Sequence, residues 1–76
     1  MNSLEVVVFS AIAEVLNLPV TSINLESKID VTENWDSLTN MDILLKVEDL
    51  LGITFAASDL EQLNSSRSII EKLQLN

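Results

Sequence analysis

The chain has 76 residues, with twelve acids against four bases and a net charge of −8. It has no cysteine and no histidine, which excludes disulfides, thiolate nucleophiles and sulfur-ligated metals and removes the commonest general base and metal ligand. So acidic a chain is repelled by phosphate backbones and anionic lipid, which argues against nucleic acid and favours partners with basic protein surfaces.

The length suits a single small domain over 1–76, which buries only about 60% of its unfolded surface. An apolar fraction of 47% is too high for disorder. The longest near-apolar run is Val6–Ala13, too short to span a bilayer. No Lys or Arg precedes it, so it does not read as a signal peptide. These absences suggest a cytoplasmic protein.

The first predicted element runs from about Ser3 to Leu16. Leu4, Val7, Val8, Ala11, Ile12 and Val15 follow the i, i+3, i+4 rule of an amphipathic helix. Ser3 is a candidate N-cap, and Pro19 forces Leu18 out of the helical region. Residues 17–36 show no sustained helical period. Their apolar residues Val20, Ile23, Leu25, Ile29 and Val31 are spread out and could tuck onto helices. A connection this long in a small domain is often functional.

A second helix is predicted from near Ser37 to just before Gly52, a natural residue for a left-handed helix end. "GITF" at 52–55 is strand-like but too short to stand alone. A short third element is expected at Ser58–Leu63. A last helix follows from Ser65 or Ser66 to Leu73, with Ile69, Ile70 and Leu73 as its apolar positions. The fold class is therefore all-α: a small bundle of three main helices and one short one, with a long loop between the first two.

The second helix has two apolar faces. At about 100° per residue, Ile43, Leu44, Val47, Leu50 and Leu51 fall on one side, the expected core face. Leu38, Met41 and Leu45 fall opposite, flanked by Asp42, Glu48 and Asp49. An edge helix in a small bundle needs only one apolar face. Either the long loop covers the second stripe, or the stripe is an exposed, acid-rimmed binding surface.

Asp36 or Ser37 is the expected cap of this helix. Counted from Ser37, a capping box fails, because Asn40 stands where Glu or Gln is needed. A hydroxyl at a helix N-terminus is also a modification site, since an attached phosphodiester meets unpaired N–H groups and the positive end of the helix dipole. Asp36 beside it could hold a divalent cation or orient the hydroxyl. Other signals are weaker. Asp30, Thr32 and Asn34 have calcium-loop spacing, but Trp35 and Met41 break the pattern. Asn64-Ser65-Ser66 fits a glycosylation acceptor by chance.

Asp36-Ser37-Leu38, opening an apolar, acid-rimmed helix, resembles the phosphopantetheine attachment motif of acyl carrier proteins. The resemblance covers nearly the whole chain, including "LLKVEDLLGITF" at 44–55 and "ASDLEQLNSSRSIIEKL" at 57–73. It implies that Ser37 receives 4′-phosphopantetheine from coenzyme A through a separate phosphopantetheinyl transferase and magnesium. It also implies that Leu38, Met41 and Leu45, with Asp42, Glu48 and Asp49, form the face read by partner enzymes.

Those partners would be an acyl- or aminoacyl-loading ligase and downstream acyltransferases or synthases. The chain would be a monomeric carrier and not an enzyme, its cargo held as a thioester on the arm. Asn34-Trp35 replaces the Gly-Ala usual in fatty-acid carriers, which resembles discrete carriers of specialised pathways. Ser66 stands where the family commonly has an aliphatic residue, so a loose start to the last helix is expected. Trp35 is expected to pack at the loop–helix junction. The rival reading is a non-covalent helical interaction module in which Ser37 is only a cap.

Overall fold

The computed structural model describes residues 3–74. Four α-helices follow one another: α1 (Ser3–Leu16), α2 (Ser37–Leu51), α3 (Ala57–Gln62) and α4 (Ser66–Gln74), with a short 3-10 turn at Val20–Ser22. Among the described residues there is no strand, only an isolated bridge between Lys28 and Ser65. The all-α bundle expected from the sequence is what forms.

Helix α1 packs against both α2 and α4. It contributes Val8, Ala11, Ile12, Ala13 and Leu16 to the core. Ser3 is already helical, so it is not the N-cap expected of it. The helix stops through Asn17, which takes the left-handed conformation at φ 57. The Leu18 N–H then reaches back to the Ala13 carbonyl at 3.0 Å, the bond that closes a helix end of this kind. Pro19 follows a stop already made.

Helix α2 ends the same way. Gly52 sits at φ 65, where a side chain would be strained, and Ile53 N–H bonds to the Glu48 carbonyl at 3.1 Å. Its buried face is Ile43, Leu44 and Val47, with Leu51 partly buried. Leu50, expected on this face, is 50% exposed. It lies one turn beyond Lys46, on the flank, and Lys46 turns aside to pair with Glu14 of α1 at 2.9 Å.

The long connection between α1 and α2 is an ordered strap. Ile23 is buried and Leu18, Leu25 and Ile29 pack against the core, whereas Val20 and Val31 face solvent. Backbone bonds tie it to the far side of the fold. Ile29 N–H donates to the Asn64 carbonyl, and Ser66 N–H donates to the Ser27 carbonyl. Asn34 closes the strap by donating its side-chain amide to the Leu16 carbonyl at 3.0 Å.

Helix α3 begins one residue earlier than expected, with Asp59 accepting from the Ala56 N–H. Helix α4 does not start loosely. Ser65 and Ser68 cap each other reciprocally: each backbone N–H donates to the other's hydroxyl oxygen at 3.1 Å. Ser66, the next residue, is fully buried and its hydroxyl has no partner.

An unpaired buried hydroxyl costs about 1–3 kcal/mol. Ser66→Ala removes that group while leaving the Ser65–Ser68 cap intact. It is expected to stabilise the protein by about 1 kcal/mol in urea unfolding; an equal or lower midpoint would show that the hydroxyl is satisfied in solution.

Candidate functional site

The site is built on the first turn of α2. Asp36 has an extended backbone, φ −127 and ψ −171, and is the N-cap. One carboxylate oxygen accepts from the N–H groups of Leu38 and Thr39, each at 3.0 Å. The Thr39 hydroxyl accepts from the Asp36 N–H at 2.8 Å and donates to the Asn34 carbonyl at 2.8 Å. This is a complete capping box with threonine as its second member, one register earlier than a count from Ser37 gives. The reading of Ser37 as only a cap is thereby corrected: Asp36 caps, and Ser37 is the first helical residue.

These bonds leave the Ser37 side chain exposed. Its hydroxyl stands beside the positive end of a 15-residue helix, an environment that favours an attached anion. The Thr39 amide, with further hydrogen bonds from Thr39 and Leu38, holds the Asp36 carboxyl below its ordinary 3.8, against a smaller opposing effect of burial. A carboxylate that accepts several N–H bonds is stabilised in its charged form.

The loop does not cover the second stripe of α2. Leu38 is 78% exposed, Leu45 52% and Met41 40%. Asp42 and Asp49 are exposed beside them. Glu48 is different: it is half-buried, and its carboxylate accepts from the Phe55 N–H at 2.7 Å. It therefore staples the loop after α2 to the helix, and only part of its charge faces the rim. With Lys46 drawn to Glu14, no cation of α2 relieves the acidic stripe. Two surface hollows, at Leu18, Ser22 and Ser27 and at Glu5, Ile70 and Gln74, involve no residue of α2.

Two residues that shape the site, Thr39 and Asn40, were not read as such from the sequence. Thr39 completes the cap. Trp35 is 2% exposed and donates its indole N–H to Asn40 at 2.9 Å. Asn40 is itself buried, on the core side of α2. Trp35 thus packs at the loop–helix junction as expected. The signal for Asn40 was the indole itself, since a buried tryptophan N–H needs an acceptor.

A family model described as the phosphopantetheine attachment site matches residues 6–73. The chain belongs to that family. Its carrier domains bear a covalently attached 4′-phosphopantetheine, and they carry rather than catalyse. They interact with a phosphopantetheinyl transferase and with biosynthetic enzymes. A search of the curated proteins found no match. Among the described residues no helix is long and apolar enough to cross a membrane.

The residues of this carrier suit such an arm: an exposed hydroxyl, a helix N-terminus and a neighbouring carboxylate kept ionised. The lowered value of Asp36 fixes the sign of its pH dependence. Its contribution is present above the ordinary carboxylate value and disappears as pH falls through the lowered folded-state value. Asp36→Ala is therefore expected to lower the melting temperature at neutral pH, with the gap to wild type closing in acid. A gap that stays constant down to pH values well below 3.8 would show that the carboxylate is not what stabilises the cap.

Proposed function

We propose that Ser37 is the residue to which the phosphopantetheine arm is attached. We further propose that the chain is an acyl carrier protein, a single domain over residues 1–76 that acts in the cytoplasm as a monomer. The observation that carries this reading is the exposed Ser37 hydroxyl directly after the Asp36 cap, at the positive end of α2.

In loading, a bond forms between Ser37 Oγ and the phosphorus bearing the pantetheine arm of coenzyme A. The pyrophosphate bond breaks, the adenosine bisphosphate portion leaves, and the serine proton passes to a base on the transferase. Asp36, the residue before Ser37, would help orient the hydroxyl or hold the magnesium ion that the transferase brings. Once attached, the arm supplies a terminal thiol, which the chain lacks, and holds an acyl or aminoacyl group as a thioester.

Leu38, Met41 and Leu45, with Asp42 and Asp49, form the face offered to partners. Glu48 adds the part of its charge that its bond to Phe55 leaves free. The partners fitting this face have basic surfaces: the phosphopantetheinyl transferase, a loading ligase for an acyl or aminoacyl cargo, and downstream acyltransferases or synthases. Asn34-Trp35 before the serine supports a discrete carrier of a specialised lipid, polyketide or aminoacyl route over a housekeeping fatty-acid carrier.

Incubation with coenzyme A, magnesium and a broad-specificity transferase is expected to add one arm per chain by intact mass, and none to Ser37→Ala. Ser37 is exposed and makes no contribution to the cap, so the variant is expected to melt like wild type. A loaded Ser37→Ala protein, or a wild type left unmodified beside a loaded reference carrier, would overturn the assignment.

A further inference from the structure

Trp35 is the chain's one tryptophan. It lies two residues before Ser37, and Asn40 lies three residues after it. The indole N–H donates to the Asn40 side-chain oxygen at 2.9 Å, inside the core. The Asn40 amide then donates to the Leu63 carbonyl at 3.0 Å. A buried polar chain therefore runs from the turn before Ser37, across the base of α2, to the end of α3.

The other side-chain bonds that bridge Ser37 are exposed. Those made by the Asp36 carboxylate and the Thr39 hydroxyl face solvent, where water competes for both partners. The Trp35–Asn40 bond is dry. In the interior a hydrogen bond is electrostatically stronger, and either group left alone would be costly. Of the side-chain bonds that bridge Ser37, this one is buried and spans it from both sides.

Packing alone would not require it. A phenylalanine fills most of the same apolar volume with no donor to satisfy, and a leucine in place of Asn40 would suit a helix face made of Ile43, Leu44 and Val47. The chain instead carries two polar groups into its core at the one place that brackets the exposed hydroxyl.

We infer that Trp35 and Asn40 are positioning residues for the loading of Ser37. Their bond fixes the turn at 35–37 and hence the direction in which the hydroxyl leaves the helix. This rests on Ser37 as the attachment residue. Neither side chain touches the reacting atoms. A nucleophile held loosely is less often aligned for attack, and small displacements are expensive in rate. Neither side chain lies on the exposed stripe of α2, so the docking of a transferase is left alone. The loss falls on turnover and not on KM for the carrier.

The test uses the full chain and a phosphopantetheinyl transferase, with steady-state loading from coenzyme A. Trp35→Phe keeps the ring and loses the N–H. Asn40→Leu keeps the branched outline of the side chain, adds some bulk and loses both bonds. Both are expected to lower kcat by about tenfold or more, with KM for the carrier changed by less than about threefold. The double variant is expected to lose little beyond Asn40→Leu alone, because the two changes break the same bond. Tryptophan emission of Asn40→Leu is expected to shift to the blue as the indole loses its acceptor.

A folded Trp35→Phe with wild-type kcat would overturn the inference. So would a loss confined to KM, or one that follows the unfolded fraction seen by circular dichroism. If Asn40→Leu does not fold, Trp35→Phe decides alone. A wild type that never loads would overturn the attachment reading and this inference together, whereas a loading wild type with normally turning variants overturns this inference only.

Discussion

The rotation of α2 about its own axis decides what this protein shows to its surroundings. That rotation is set by burial of Ile43, Leu44 and Val47, each fully removed from solvent. Three such side chains on one side of a helix hold it against α1 by several kcal/mol, at about 1.5–3 kcal/mol each. With that face committed, geometry turns Leu38, Met41 and Leu45 outward. Ser37 then stands at the exposed end of the stripe. A helix with only the core face would have folded as well. The second apolar face is left largely in solvent, with Leu38 78% exposed, and this exposure is what supports the proposed role in association.

Electrostatics reinforces this division. Three of the four cations are used within the fold: Lys46 on Glu14, Arg67 on Glu26 and Lys72 on Asp59. Such surface pairs contribute little stability individually. Their larger effect is on where charge remains. Each cation relieves an acid off the α2 stripe, so the negative field persists around Asp42 and Asp49. Glu48 divides its role, since the Phe55 amide takes one of its oxygens.

Much of the architecture was readable in the chain because it rests on strong local signals. The apolar periods of 3–16 and 37–51 gave both long helices, and Gly52 marked the end of the second. The two faces of α2 follow from periodicity alone. The family resemblance carried by Asp36-Ser37-Leu38 agrees with the match over residues 6–73. What was missed depends on contacts distant in sequence or on a register of one residue. The cap is Asp36 with Thr39, and counting from Ser37 hides it. Residues 17–36 have no period, so nothing local says that Ile23 goes in while Val20 and Val31 stay out. Leu50 fits the core by angle, but its position on the flank next to the Lys46–Glu14 pair leaves it exposed. Asn40 shares the core face with Ile43, Leu44 and Val47, and its acceptor role appears only once the indole of Trp35 is seen to reach it from outside the helix, while Glu48 bonds an amide beyond the helix end.

The claim that matters most is that the exposed half of α2, from Ser37 to Asp49, is the surface through which the carrier meets its enzymes. Amide chemical-shift mapping during titration with a phosphopantetheinyl transferase tests it directly. The account predicts shifts concentrated at Ser37, Leu38, Met41, Asp42, Leu45 and Asp49, weakening as salt screens the acidic rim. Shifts centred on the strap at residues 17–33 or on α4, with α2 unmoved, would contradict it.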